Sequence, residues 1–173
     1  MAQEILTVGT AHALVAAALT ASDTSIENAL AVADALVGAE LVGQGGHGLR
    51  RVATYSAQAR AGKVDGHAVP RLMRSKPSAM HIDAAHGFAY PAFDLAAAEL
   101  RSMAKSQGIA AAGIFRSHHA GVTGLAVERL ADEGLVALMF ANAPSSLSPW
   151  GGRTPLYGTD PIAFACPVAG GLP

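Results

Sequence analysis

The sequence is short of several things that would point straight to a function. It has one cysteine, Cys166, in 173 residues, which excludes an internal disulfide framework and a cysteine-rich zinc site and leaves nothing that needs an oxidising compartment. Charge is scarce: Asp, Glu, Lys and Arg make up 14% of the chain, and 12 Lys and Arg against 13 Asp and Glu give a net charge of −1. So even a balance supplies neither the charge excess that keeps a chain disordered nor a basic face for a polyanion, and nucleic acid is not an expected partner. The richest apolar stretch, residues 11–19, contains many alanines and falls short of the roughly 18 apolar residues that suggest a membrane span. No basic segment precedes it, as one would in a signal peptide. The expectation is a soluble, cytoplasmic protein with no membrane partner. Internal repeats and low-complexity tracts are absent beyond a general alanine bias.

What is present is apolar residue, 51% of the chain, in a length that fits one domain able to bury about 70% of its unfolded surface. The first third has helical periodicity. Thr24-Ser25-Ile26-Glu27 has the form of a capping box, and Ile26, Ala29, Leu30, Ala33, Leu36, Val37 and Leu41 follow on one helical face. An alanine-rich helix over 8–19 precedes it. A third helix is expected from Leu49, with Leu49, Val52 and Tyr55 inward and Gly62 in the left-handed position at its end.

The period then changes. Residues 71–73 and 79–82 are short strand candidates around Lys76-Pro77, Pro91 suits the first turn of a helix ending near Gln107, and Gly108 stops it. A strand over 109–115, a helix over 122–133, an apolar strand over 135–141 and another over 162–166 complete the reading. That alternation predicts a parallel α/β arrangement with helices over the sheet. The segment 167–173 reads as a turn leading into another element, so either the terminus frays or the chain is part of something longer.

Three segments carry chemistry. Gly43-Gln44-Gly45-Gly46-His47-Gly48 matches the dinucleotide fingerprint by letter, but that motif needs a strand entering the turn, and here a long helix enters it. The glycines read instead as a sharp turn between helices. His47 and Arg51, four residues apart, can point into one pocket, the imidazole to exchange a proton and the guanidinium to hold a carboxylate by two parallel bonds. A capping His and a solvated Arg would satisfy the same spacing. The second segment, Arg116 to Gly124, lies between an apolar strand and a helix, where parallel sheets gather phosphate or cofactor ligands. Its His118-His119 pair has no acidic or cysteine third ligand close by for a metal, and it could simply hydrogen-bond the loop. The third, Pro149-Trp150-Gly151-Gly152 and Tyr157-Gly158-Thr159-Asp160-Pro161, fixes a loop that presents a hydroxyl at Thr159.

Taken in order, these segments resemble the malate/L-lactate dehydrogenase family of type 2, a non-Rossmann group that includes sulfolactate and ureidoglycolate dehydrogenases and cyclic-imine reductases. The matching residues are Gly46-His47-Gly48-Leu49-Arg50-Arg51 with Tyr55, Ile82-Asp83, Gly87-Phe88, His118-His119-Ala120-Gly121, Gly134-Leu135, Asn142, Pro149-Trp150-Gly151-Gly152 and Gly158-Thr159-Asp160-Pro161. The resemblance implies NAD- or NADP-dependent interconversion of a small 2-hydroxy acid and 2-oxo acid, such as malate or lactate, or reduction of a cyclic imino acid. By it, His47 is the proton donor and acceptor, Arg51 and Thr159 bind substrate, and His119, Ala120, Gly121, Val122 and Thr123 line the cofactor, with no metal. It further implies a helical substrate-binding segment over 1–68, an incomplete three-layer α/β/α domain over 69–173, and a homo-oligomer in the full-length form. Where the family often has Ser before the histidine as part of a relay, this chain has Gly46. Family members continue well beyond Pro173, so the chain reads as an N-terminal half, expected on its own to lack measurable turnover and to associate. The rival readings are a non-catalytic remnant of such an enzyme and a metal-binding module using His118 or His119.

Overall fold

The computed structural model describes residues 5–173, without the side chains at 74 and 75; residues 1–4 of the expected 1–68 segment lie outside it. The protein is mixed α/β and forms two compact units, one reaching to Val122 and one running from Thr123 to Pro173. Among the described residues, no helix is long and apolar enough to cross a membrane.

In the first unit, helices α1 (Val8–Thr20) and α2 (Ile26–Leu41) pack along one another, and α1 also lies against α3 (Val52–Arg60). Their facing sides bury Val15, Leu19, Val32, Leu36 and Tyr55. Of the stripe expected along α2, Ala29, Ala33, Leu36 and Val37 are buried, whereas Ile26, Leu30 and Leu41 are exposed, and Val32 joins the core in their place. The expected capping box at Thr24 is corrected by one residue. Ser25 is the N-cap, accepting from the Asn28 N–H at 3.2 Å. Thr24 is pinned in an extended bridge to Gly66, so the helix starts after it. Asn28 then turns inward and donates to the carbonyls of Gly66 and Ala68, tying α2 to the segment that leads into the sheet.

That sheet has the order β1 (Arg71–Lys76), β2 (Ala79–Asp83), β3 (Ala111–Phe115). The two-residue link Pro77-Ser78 leaves room only for a hairpin, so β1 and β2 pair antiparallel. Helix α4 (Ala89–Gln107) supplies the long crossover that a parallel pair needs, and β2 and β3 are parallel. Met80 and Ile82 of β2 pack with Ala92, Ala96 and Met103 of α4. Helix α4 starts two residues before Pro91, and Gly108 ends it at φ +79°. Ile109 stands outside β3 and is exposed.

The second unit holds α5 (Thr123–Ala131), β4 (Ala137–Phe140) and β5 (Ile162–Ala165). The expected parallel arrangement is corrected here too, because β4 and β5 pair antiparallel with each other in a separate two-stranded sheet. Their inner face packs Ala137 and Ala165 on Val127 and Ala131 of α5. The outer face presents Leu138 opposite Phe164 and Phe140 opposite Ile162, all four exposed.

Candidate functional site

The site is built around the turn that follows α2. The chain leaves α2 at Gly43 with φ +74°, and the carboxylate of Glu40, still in the last helical turn, accepts the Leu49 N–H at 3.0 Å. Gly48 is buried beneath that carboxylate, with no room for a Cβ. A short 3₁₀ turn over Leu49–Arg51 then runs into α3. A helix enters the glycine-rich segment and a 3₁₀ turn leaves it, so the backbone there lacks the strand that a dinucleotide fingerprint requires. The result is a tight loop with His47 and Arg51 on it. Arg51 donates from Nε to the Gly46 carbonyl at 2.7 Å, which fixes the guanidinium and leaves its terminal N–H groups to bind end-on.

His47 is half-buried, and its imidazole stacks on that of His119, with ring centroids 5.2 Å apart and planes 7° from parallel. Its Nδ1 is buried without a hydrogen-bond partner among the described residues. Burial and then the Arg51 charge push its pKa below the ordinary imidazole value, so near neutral pH it is largely unprotonated and ready to take a proton. The same two influences, with His47 itself third, lower His119.

The loop after β3 carries His118 and His119. It is anchored by the Asp83 carboxylate at the end of β2, which accepts from Arg116 Nε at 2.8 Å, from the terminal Arg116 nitrogen, and from the Ala85 N–H at 2.9 Å. The Arg116 guanidinium holds Asp83 below the usual carboxylate range. His118 turns to Gln58 of α3, its Nε2 lying 2.8 Å from Oε1. Its ring meets Tyr55 and Phe88 edge-on, and burial pushes its pKa down to about 4. His119 turns the other way, its Nδ1 2.7 Å from the Tyr55 hydroxyl. Tyr55 is in turn 3.2 Å from the hydroxyl of Tyr90 on α4. Among the described residues no group of three or more His, Cys, Asp or Glu side chains could hold a metal ion.

His47, Arg51, His119 and Gly121 are thus brought together within the first unit, with Ala120 and Val122 on the same loop. Thr123 and Thr159 belong to the second unit. Thr123 opens α5 and is buried. Thr159 is exposed on the loop before β5, next to Asp160, whose carboxylate accepts the Ala143 N–H at 2.8 Å.

Residues 6–173 match the malate/L-lactate dehydrogenase family. The chain belongs to this family. It is 48% identical over 160 residues to the (2R)-3-sulfolactate dehydrogenase (NADP(+)) of Chromohalobacter salexigens, covering 92% of this chain and 48% of that protein. It is 36% identical over 173 residues to a Δ1-pyrroline-2-carboxylate reductase of Burkholderia ambifaria, covering all of this chain and 51% of that one. Among solved structures, the Δ1-piperideine-2-carboxylate reductase of Pseudomonas syringae superposes with a TM-score of 0.86 at 34% identity, over 98% of this chain and 51% of that chain. The malate dehydrogenase of Pyrococcus horikoshii superposes with a TM-score of 0.87 at 30% identity, over 94% and 47%. The chain therefore spans about half the length of the malate/L-lactate dehydrogenase relatives it matches.

Several residues that shape this family member's site were not assigned a role from sequence. Gln58 on α3, Tyr90 on α4 and the Asp83–Arg116 pair act through contacts distant in the chain, and Glu40 through a carboxylate that reaches forward to the Leu49 N–H. The Asp83–Arg116 pair left a trace, because an acidic residue ends β2 and a basic residue directly follows the neighbouring strand β3.

Proposed function

We propose that the protein is part of an NAD(P)-dependent oxidoreductase that interconverts a small 2-hydroxy acid and 2-oxo acid, or reduces a cyclic imino acid, with His47 moving the proton and Arg51 holding the carboxylate. The observation that carries this reading is the pairing of a proton-exchanging imidazole with a guanidinium fixed through Nε on the same turn. Reducing a carbonyl or imine carbon requires a proton at the neighbouring oxygen or nitrogen and a cation that keeps the acid in register. His47 supplies the first and the terminal N–H groups of Arg51 the second. The names of the relatives run from a sulfolactate dehydrogenase to pyrroline carboxylate reductases, and the substrates in those names share a carboxylate beside the reacting centre, the feature Arg51 recognises.

The residues present suit a nicotinamide cofactor beside this turn. Gly121 has no room for a side chain, the face of His119 is aromatic, and Nδ1 of His47 is a buried polar atom without a partner among the described residues. His119, Ala120, Gly121, Val122 and Thr123 would line the cofactor, and Thr159 would touch the substrate. The cofactor supplies or accepts the hydride. His47 holds or releases the proton, Arg51 orients the acid, and the buried flank formed by Tyr55, Phe88 and Tyr90 limits water behind the histidines. Completion of the sheet into three layers and assembly of copies of the chain belong to the same proposal.

The test is NADH and NADPH oxidation by the native protein over a panel of 2-oxo acids and cyclic imino acids, with Arg51→Ala beside it. Oxidation that depends on a carboxylate in the substrate and is weakened by Arg51→Ala supports the reading. Turnover indifferent to either would overturn it.

A further inference from the structure

Two observations fix the direction of the hydrogen bonds around His119. The Gly121 N–H points at Nδ1 of that imidazole from 3.3 Å. A backbone N–H only donates, so Nδ1 accepts and carries no proton. The Tyr55 hydroxyl, 2.7 Å from the same nitrogen, therefore donates to it. A hydroxyl has one proton to give. With that proton committed to His119, the 3.2 Å contact between the two tyrosines is made by the Tyr90 proton, and the Tyr55 oxygen accepts it. Both phenols are buried, and burial raises both above the ordinary tyrosine value, so neither loses its proton near neutral pH. Tyr90 is also confined from the loop side, because its hydroxyl stands 2.5 Å from where a Cβ on Gly121 would be.

We propose that Tyr90 and Tyr55 form a one-way hydrogen-bond chain that holds His119 as the neutral tautomer protonated at Nε2, making both tyrosines positioning residues for the site. The significance of that tautomer rests on the functional reading above. A free imidazole exchanges tautomers and can offer a donor or an acceptor at either nitrogen. Here the chain removes the choice. Nε2 has no partner among the described residues, and His119 is exposed, so it presents one oriented N–H donor. The ligand this suits carries an acceptor oxygen, a carbonyl or a carboxamide, and a ligand that offers only a donor there is rejected. The charged and titratable groups around the ring are His47 on its face, Arg51 on the same turn as His47, and His118 beside it. None of them is a carboxylate that would draw the proton to Nδ1.

The experiment is an ¹⁵N–¹H long-range correlation spectrum of the ¹⁵N-labelled protein, assigned at His119 and followed through a pH titration. The expected result is a non-protonated Nδ1 and a protonated Nε2 in the wild type. In Tyr55→Phe only the longer Gly121 N–H contact is left to favour that tautomer, so the Nδ1-protonated form gains population, and the His119 midpoint rises by about half to one pH unit, the equivalent of one lost hydrogen bond to the neutral form. Tyr90→Phe leaves the tautomer in place, because Tyr55 still donates, but raises the midpoint by a smaller step, since Tyr55 is no longer polarised as a donor by the bond it accepts from Tyr90; a midpoint unmoved by this change removes Tyr90 from the chain. Should Tyr55→Phe fail to fold, 3-fluorotyrosine at position 55 keeps the shape and makes a stronger donor, and the His119 midpoint falls. A wild type protonated at Nδ1 overturns the proposal, as does a tautomer and midpoint that respond to neither change at Tyr55. No readout depends on turnover, so an inactive protein would defeat the functional reading and leave this result intact.

Discussion

The imidazoles of His47 and His119 lie face to face, 7° from parallel with centroids 5.2 Å apart, although 72 positions separate them in the chain. Two stacked rings beside Arg51 cannot both hold a proton without repulsion. The direction of the His47 shift, downward through burial and then Arg51, sets the pH behaviour. In the proposed role, His47 would carry the proton for reduction only below its lowered midpoint. The reductive rate is therefore expected to fall as pH rises through a value under 6.5, with the oxidative direction gaining over the same range. An NMR titration of His47 gives the midpoint directly, and Arg51→Ala should raise it. A midpoint at or above 6.5 in the wild type contradicts the account.

His118 makes a separate prediction about stability. Its pKa is about 4 in the folded protein against 6.5 for a free imidazole, so the unfolded chain binds the extra proton between those values. Stability from this group is complete above about pH 6.5 and is lost as pH falls toward about 4. Urea melts between pH 7 and pH 4 should show that decline, reduced in His118→Gln, which cannot take up a proton. An identical pH slope in the variant would remove His118 as its cause.

The histidines, Arg51 and the loop they occupy were legible in the sequence because each sits in a short local pattern: glycines around His47, a four-residue step to Arg51, a polar pair at the end of an apolar strand. What was not legible is what orients them. Tyr90 was one more residue of the helix near Pro91 until folding set its hydroxyl against Tyr55 and Gly121. The helices followed from side-chain period, and their ends at Gly62 and Gly108 from backbone conformation. Strand direction did not follow from alternation alone. The link of Pro77-Ser78 forces a hairpin, and the loop between β4 and β5 holds no helix to carry a parallel crossover. The cap moved from Thr24 to Ser25 because Gly66, far along the chain, claims Thr24.

Gly121→Ala combines two costs. The residue has φ +66°, which costs a side chain roughly 1–2 kcal/mol, and the new methyl would press on the Tyr90 hydroxyl. A lowered melting temperature is expected, together with a changed His119 signal, since the loop must lift from the tyrosine pair. Gly134, also at positive φ but with open space around it, is the control. Its alanine variant should lose stability without moving His119. Equal effects on His119 from both variants would contradict the contact.

Arg51→Ala should act on substrate capture. A hydrogen-bonded contact to a charged group contributes roughly 1.5–3 kcal/mol, or about ten- to a hundred-and-fifty-fold in kcat/KM for the 2-oxo or imino acid. Steady-state kinetics of the native protein and its variant decide this. An unchanged kcat/KM would show that another group holds the carboxylate.

The most direct test of the central claim is the turnover of His47→Asn in the native protein, with NAD(P)H affinity measured alongside by fluorescence. Asparagine keeps a polar side chain of similar reach and cannot exchange a proton at working pH. The expected result is turnover lower by about a hundred- to ten-thousand-fold, with a much smaller change in cofactor affinity. Turnover close to wild type would contradict it and leave His47 as a residue that only shapes the turn.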